Sequence, residues 1–434
     1  MALITKRVYG SEDVLPKDSY KWQFVEKLMR DEADAFGFKE IRTPVFEHTE
    51  LFQRGVGDTT DVVQKEMYTF NTKGGTSLTL RPEGTAGAAR ALLEHALYND
   101  GLPVKVYYLV SCYRYEKKQA NRYREFHQFG LETYGTQSPA ADAEMICAAQ
   151  SIFDRLHIGD KLTLELNSIG CPDCRAKYYQ ALKDYFEQYK DQLCDTCLSR
   201  LERNPMRILD CKSPICSKIA EGAPVVLDYI CDDCKEHFEG VKALLEAQGV
   251  KYVINPKIVR GLDYYTRTVF EFVTDSLGAQ GTVCGGGRYD GLIEELGGQS
   301  LPSLGFALGI ERLLALLEAQ GVEIPNFGEC GLYIAPMGTA AQSKAFELLK
   351  QVRTCSIHAE TDIVGRSLRA QMKYADKIGA KFSLVIGDNE LCENKAELKN
   401  METGEKTKID LGDKFLDEFI NAYSNNGAMV IFGK

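Results

Sequence analysis

The chain has 434 residues, of which 44% are hydrophobic and 26% charged, and a net charge of −10. At ~150 residues per domain that is a globular protein of two or three domains, and any nucleic-acid partner has to meet a local basic patch rather than a global field. No apolar run is long enough to span a membrane, and the opening MALITKRVYGSEDVLP has neither the apolar core nor the cleavage site of a signal peptide, so a cytoplasmic protein is expected.

In chain order, Trp22, Val25, Met29 and Phe36 recur at helical spacing, with Asp18 or Ser19 as the N-cap and Gly37 as the stop. KEIRTPVFE is an extended stretch broken by Pro44. Proline has no N–H for a ladder, which puts this stretch at an edge or interface. SLTLRPEGTAGAARALLEHAL reads as a strand, a turn through Pro82-Glu83-Gly84, and a helix from about Thr85. KVYYLVSCYRYE and REFHQFGLETYG read as an antiparallel pair joined by the basic loop KKQANRY. From about residue 170 to 249 the pattern turns helical, with Tyr179, Leu182, Phe186, Tyr189 and Leu193 in register. The strands KLTLELNSIG and KYVINPKIVRGLDYY flank it, so the block reads as a subdomain inserted between two strands of one sheet. GTVCGGGRYDGL and LPSLGFALGIERLLALLEAQ return to strand, glycine turn and helix. After a linker around GVEIPNFGECG, strands GLYIAPMG and KFSLVIGD alternate with helices AAQSKAFELLKQV and SLRAQMKYADKIGA, as in a small α/β domain. That domain has no Gly-x-Gly-x-x-Gly, so a dinucleotide site is unsupported there.

Residues two apart in a strand share a face. Arg114 and Glu116 therefore point one way, and Gln128, Gly130 and Glu132 oppose Phe129 and Leu131. A single strand of this kind is ordinarily a solvated face; several converging ones make a polar floor. Arg122 and Arg124 add charge from the loop. Gly285-Gly286-Gly287 admits a flat ring or a neighbouring backbone, with Arg288 beside it. Arg312 lies in the first turn of a helix, where an anion is favoured, although a lone helical Arg is more often a surface ion pair.

Those residues carry a resemblance. YRYEKKQANRYREFHQFGLE resembles motif 2 of the class II aminoacyl-tRNA synthetases, GFALGIERLL their motif 3, and the stretch from Asp18 to Pro44 their motif 1. RGLDYYTRTVFEF and GGGRYDGL resemble the two signatures of the histidyl-tRNA synthetase family, whose pattern TLRPEGTAGAARA and RGVGDTTDVVQKEMYTF also follow. The likeness runs nearly the full length.

The resemblance implies an α/β fold with an α+β catalytic core. An antiparallel sheet flanked by helices would occupy residues 1–325, with motif 1 at about 18–44, motif 2 at about 107–134 and motif 3 at about 304–318. A helical cysteine-rich insertion would span 170–249, and a C-terminal α/β anticodon-binding domain 330–434. It implies a histidine-tRNA ligase with the substrates L-histidine, ATP with Mg²⁺ and tRNA(His), working as a cytoplasmic homodimer. Tyr264 and Tyr265 would line the histidine pocket together with Glu83, Thr85, Gln128 and Glu132, and Arg114 and Arg260 would also count among the histidine-binding residues. Arg114 and Arg260 would also meet the α-phosphate and act in catalysis, and Arg312 would meet the γ-phosphate. Arg122 would assist at the phosphates, Phe126 would stack on adenine, and Glu116 would contact the adenine side or Mg²⁺. The tRNA-reading domain would present Arg366, Arg369, Lys373 and Lys377 on or near one helix, unless that face is merely solvated.

Two rivals remain. A non-catalytic paralogue such as the ATP phosphoribosyltransferase regulatory subunit would lack the motif arginines and the C-terminal domain, both present here. A zinc-stapled binding module would show no chemistry. The chain has fourteen cysteines. In a reducing compartment they are metal ligands or inert thiols rather than disulfides. Cys171, Cys174, Cys231 and Cys234, and Cys194, Cys197, Cys211 and Cys216, have the pairing for two structural zinc sites. The rival reading is free thiols in a helical insertion, and the family does not require a metal there. If zinc is present, the insertion is expected to fold over the tRNA acceptor stem. Zinc loss would then hurt aminoacylation more than pyrophosphate exchange.

Overall fold

The computed structural model describes residues 4–57, 60, 62–117, 122–278, 281–326 and 328–425. Residues 118–121 of the basic loop and parts of the stretch 54–70 lie outside them. The chain divides into two compact units, Met1–Ile324 and Pro325–Lys434.

The strands of the first unit are β1 (Lys39–Glu40), β2 (Phe46–His48), β3 (Tyr68–Asn71), β4 (Ser77–Leu80), β5 (Val104–Tyr113), β6 (Glu125–Tyr134), β7 (Thr163–Ser168), β8 (Val253–Ile254), β9 (Thr266–Val273), β10 (Thr282–Arg288) and β11 (Ser303–Gly309). Eight of them form one sheet in the order β1-β5-β6-β11-β10-β9-β7-β8. Its pairs are antiparallel except β1 with β5 and β7 with β8. A smaller sheet runs β2-β4-β3. Alternation sets the two faces of the large sheet. Phe129, Leu131, Phe270, Phe272, Phe306 and Leu308 enter the core, packed by Val25 and Met29 of the helix Pro16–Ala35, Ile146 and Phe153 of Pro139–Arg155, and Leu313 of Ile310–Ala319. Gln128, Gly130 and Glu132 are left for the opposite face.

Two local expectations are corrected. The first helix is capped by Leu15 with Pro16 at its first position, not by Asp18 or Ser19. Proline's preset φ suits that position and needs no N–H partner there. Asp18 falls in the first turn instead, where a carboxylate complements the dipole. Gly37 does end the helix, at φ +80. Arg288 does not face the same space as the glycines before it. The register of β10 on β9 shifts between Gly287 and Arg288, a bulge that redirects the side chain. Its guanidinium is fully buried against Asp142, at 2.7 Å, and His237 reaches the same carboxylate at 3.2 Å. Arg288 and His237 hold Asp142 below the usual carboxylate range, against the upward push of burial.

Between β7 and β8 the chain is helical: Pro172–Glu187, Asp195–Arg203, Pro214–Ala220 and Asp232–Ala247. Tyr189 and Leu193 fall beyond the end of the first of these, on either side of a short turn.

The second unit is a five-stranded sheet of β12 (Leu332–Pro336), β13 (Ala359–Thr361), β14 (Phe382–Ile386), β15 (Lys395–Asn400) and β16 (Lys406–Asp410), in the order β13-β12-β14-β15-β16. The helices Thr339–Thr354 and Phe415–Asn425 pack Leu348, Leu349 and Phe419 onto Leu332, Leu384 and Leu398. Along the helix Leu368–Lys377, Arg369, Lys373 and Lys377 are exposed, whereas Arg366 pairs with Asp362 at 2.8 Å and lies over the Tyr374 ring. Among the described residues no helix is long and apolar enough to cross a membrane.

Candidate active site

The open face of the large sheet holds a cleft of about 300 Å³. Its walls include Glu83, Thr85, Arg114, Glu116, Arg122, Phe126, Gln128, Glu132, Arg260, Tyr264, Tyr265 and Arg312, so every residue the sequence nominated for histidine or ATP reaches one space. The eight paired cysteines lie elsewhere, in the helical insertion.

One end of the cleft is acidic and buried. Glu132, on β6, is 1% exposed and accepts a hydrogen bond from the Tyr108 hydroxyl at 2.9 Å and another from Tyr289. Gly305 faces Glu132 across the sheet, and a Cβ there would meet the carboxylate at 1.7 Å. That close approach is the physical demand behind the upstream glycine of motif 3. Burial pushes the Glu132 carboxyl up to about 8, against the tyrosine hydrogen bonds. Burial also raises Glu83, whose two oxygens accept from the N–H groups of Thr85 (2.7 Å) and Ala86 (2.8 Å) at the start of the helix Thr85–Glu94. Gln128 turns its Oε1 to the Gly84 N–H at 3.2 Å. The Tyr264 and Tyr265 rings lie 4.7 Å apart, tilted by 44°, and Tyr264 meets Tyr289 edge-on.

The other end is cationic. Arg114 donates to the Pro82 carbonyl at 2.8 Å and lies 5.3 Å from the centre of the Phe126 ring. Arg122 pairs with the buried Glu116 at 2.6 Å. Arg312 donates to the Thr282 carbonyl; burial lowers its pKa, and Arg122 and Arg114 lower it further. Mutual repulsion of three guanidiniums is a field that a polyphosphate would relieve. Arg260 stands between the two ends. It pairs with Glu271 on β9 and lies 5.2 Å from the Tyr265 ring. Burial would lower its pKa, but Tyr265 and Glu271 hold it above the usual range. Gly285 makes room for it, since a Cβ there would meet its guanidinium at 2.5 Å.

Sequence reasoning missed Tyr108, Tyr289 and Glu271, and it had Glu311 only as part of the motif 3 match, with no role. The signal for Tyr108 was Gly130, which lies directly opposite it in the sheet: a glycine inside a strand marks a close approach, and a Cβ there would meet the ring at 2.4 Å. Glu271 was legible as the one acid in the strand TRTVFEFV, set between two phenylalanines. Glu311 accepts from the His127 backbone N–H at 3.0 Å and bonds its ring at 2.8 Å, fixing the helix Ile310–Ala319 to β6. No periodic signal marks that contact.

In the insertion the sulfurs form two groups, each with all four atoms within 4.8 Å of one another. Cys171 and Cys231 cap the helices Pro172–Glu187 and Asp232–Ala247, with Cys174 and Cys234 in their first turns. Cys171 to Cys174 is 3.5 Å, Cys174 to Cys234 is 4.0 Å, and Cys194 to Cys211 is 3.9 Å. Four thiolates at 2.3 Å from a tetrahedral centre stand ~3.8 Å apart. Backbone N–H groups point at the sulfurs, Cys231 to Cys174 at 3.0 Å and Cys194 to Cys216 at 3.3 Å. All fourteen cysteines are free of disulfides.

An antiparallel sheet with one face given to an anion cleft is the architecture of the class II aminoacyl-tRNA synthetases. The crystal structure of the apo histidyl-tRNA synthetase of S. aureus matches with a TM-score of 0.82 at 41% identity, covering 96% of this chain and all of that one. The histidyl-tRNA synthetase family model matches residues 10–196 and 219–313, and an anticodon binding domain model matches 332–421. Histidine–tRNA ligases of Acetivibrio thermocellus and Caldanaerobacter subterraneus are 54% and 52% identical, over 94% and 98% of this chain and 98% and 100% of theirs. The chain belongs to the histidyl-tRNA synthetase family. An ATP phosphoribosyltransferase regulatory subunit/histidyl-tRNA synthetase from Bacillus halodurans shares the fold at 22% identity, with a TM-score of 0.63.

Proposed function

We propose that the cleft is where this histidine–tRNA ligase joins L-histidine to ATP, releasing pyrophosphate, and then passes the histidyl group from the adenylate to the 3′ end of tRNA(His). The observation that carries the reading is a single cleft with a buried acid end, a three-arginine end, and Arg260 at their junction. Glu132 and the Tyr264–Tyr265 pair suit the cationic and imidazole groups of histidine, with Glu83, Thr85 and Gln128 shaping the wall. Arg114 and Arg260 receive the α-phosphate and the attacking carboxylate. Arg312 and Arg122 receive the outer phosphates, and Phe126 offers its ring to adenine. ATP would arrive as its Mg²⁺ complex, with Glu116 meeting the adenine side or the ion, and the ion would supply neutralisation of phosphate charge. Preplaced cations stabilise the charge that grows on the phosphate without reorganising. Histidine-dependent exchange of labelled pyrophosphate into ATP tests this. Exchange that proceeds without histidine, or none at all, would refute it, and the first result would also suit a regulatory paralogue poorly.

We assign residues 1–325 to catalysis, with the insertion at 170–249, and residues 330–434 to anticodon binding. The exposed Arg369, Lys373 and Lys377 support contact with tRNA. We place the protein in the cytoplasm, where a reducing milieu keeps thiols grouped for metal available as ligands. Both cysteine groups are read as structural zinc sites: four sulfurs at tetrahedral spacing, with N–H groups stabilising thiolates, fit the ion.

A homodimer through motif 1 follows from the same region. Val45, Phe46 and Phe70 are exposed on the small sheet beside Pro44. Arg81 donates to the Thr43 carbonyl at 2.9 Å and the Pro44 carbonyl at 3.1 Å, one residue before the Pro82 carbonyl that holds Arg114. An isologous interface here would therefore brace the cleft. Light scattering at micromolar concentration is expected to give twice the chain mass; a fully active monomer would contradict it.

A further inference from the structure

The loop that follows Arg260 has no regular structure of its own between residue 260 and the start of β9 at Thr266. What holds it comes largely from the insertion. Arg175, one residue past Cys174, donates to the Tyr265 carbonyl at 2.9 Å and the Asp263 carbonyl at 3.4 Å. Asn204 and Arg207 lie between Cys197 and Cys211. The Asn204 amide donates to Asp263 Oδ1 at 3.1 Å, and Arg207 donates to the Gly261 carbonyl at 2.6 Å. Arg200 in turn fixes Arg207 through its carbonyl, at 2.9 Å. Each cysteine group thus sits at the root of a polar arm, and both arms end on residues 261–265.

A third tie lies at the loop's exit. Arg267 has φ +48, a left-handed conformation uncommon for a residue with a side chain. Such a residue persists when its surroundings over-determine it. Here the Arg267 N–H donates to the Gly170 carbonyl at 2.9 Å, and its carbonyl accepts from the Ile169 N–H at 2.8 Å. Gly170 immediately precedes Cys171. The apolar residues behind these ties, including Leu182, Phe186, Leu201 and Ile208, share one hydrophobic cluster with Tyr264, Tyr265 and Val269, so the insertion and the tyrosines pack as one body. Cross-links through the thiols would hold that packing in place.

We infer that the two tetrathiolate centres form a clamp on the histidine loop, so that zinc occupancy sets the affinity for histidine in the activation step. The inference rests on the reading above that the cysteine groups hold zinc and that Tyr264 and Tyr265 bind histidine. It reverses the expectation that zinc matters mainly for tRNA transfer. Arg175 and Arg207 are positioning residues: they touch no substrate, and they fix the backbone from which the tyrosines and Arg260 project.

The test measures zinc per chain and, in histidine-dependent pyrophosphate exchange, the KM values for histidine and ATP. It compares the full-length protein as purified, the same protein after mercurial displacement of zinc and removal of the mercurial by thiol, and the Arg175→Ala, Arg175→Lys and Arg207→Ala variants. Two zinc ions per chain are expected. Zinc removal, Arg175→Ala and Arg207→Ala should each raise the histidine KM by about tenfold, the loss expected for one or two hydrogen bonds. The ATP KM should stay within about twofold, Arg175→Lys should recover part of the loss, and re-added zinc should restore the stripped protein. The substitutions leave every thiol in place, so they report on the clamp even if stripped protein unfolds. Two zinc ions with an unchanged histidine KM in both alanine variants would overturn the clamp and leave the metal reading standing. Well under one zinc per chain would overturn the metal reading and the clamp's dependence on it. A histidine KM and an ATP KM that rise together would mark general loosening and also overturn the inference.

Discussion

Arg260→Ala, or Arg260→His, is expected to slow histidyl-adenylate formation by about 10²–10³, the cost of one preorganised donor at a developing charge. The histidine KM should change less. The structure sharpens the reason. The side chain is only 16% exposed, lies 5.2 Å from the Tyr265 ring, is paired with Glu271, and has a glycine opposite it in place of any side chain. It is therefore already oriented before substrate arrives, and the protein has met the cost of its desolvation in folding. The same burial complicates the experiment, because removing Arg260 leaves Glu271 without its charge partner, and breaking a buried pair is itself destabilising. Glu271 also accepts from Thr282 at 2.9 Å, which limits the damage. The double variant Arg260→Ala/Glu271→Gln separates the two effects. It should regain thermal stability but not rate, as read by single-turnover adenylate formation. Near-normal exchange in the single variant, or a rate restored by the second change, would remove Arg260 from the chemistry.

The sequence and the structure agree on the fold and on the lining of the cleft for a common reason. Strand alternation puts Gln128 and Glu132 on one face and Phe129 and Leu131 on the other whatever the tertiary context, and the hydrophobic face has only one place to go. What alternation could not supply was partner identity. Tyr108 sits on a strand that reads as apolar, and only its register against Gly130 makes it part of the site. Arg288 shows the opposite failure: proximity in sequence to the glycine run put it beside them, and a one-residue bulge sent it to Asp142. The hairpin β15–β16 was invisible because its strands, KAELKN and KTKID, bury only Ala396, Leu398, Asn400 and Ile409 among lysines and acids. The ties from Arg175, Asn204 and Arg207 to residues 261–265 link positions far apart in sequence, which no local pattern encodes.

Glu132→Gln is expected to raise the histidine KM by about 10²-fold, the value of a charge-assisted hydrogen bond in a dry site, while making the unliganded protein more stable above neutral pH. The amide keeps the volume, so Gly305 still clears it, and Tyr108 can still donate to its oxygen. The charge is lost, and one acceptor oxygen becomes an NH2 donor, so the Tyr289 hydroxyl that donated to it has to turn and accept instead. In the unliganded protein Glu132 titrates near 8, pushed up by burial, with Glu83 adding a second acid nearby. The sign follows from linkage. The unfolded chain releases this proton near pH 4.5, whereas the folded chain keeps it until about 8, so the unfolded state binds fewer protons in that window and this group destabilises the fold as pH rises. Each pH unit in the window contributes about 1.4 kcal/mol, for a total on the order of 5 kcal/mol by pH 8. The Tm of Glu132→Gln minus that of the parent should therefore grow steadily from pH 5.5 to pH 8 and then level. Taking the difference cancels other titrating groups, Glu83 included to the extent that the two act independently. Saturating histidine should close the gap from the parent's side, because a bound cation stabilises the carboxylate that burial disfavours. A gap that is flat with pH would mean that Glu132 is already ionised in the empty cleft. An unchanged histidine KM would mean that its charge is not what holds the substrate.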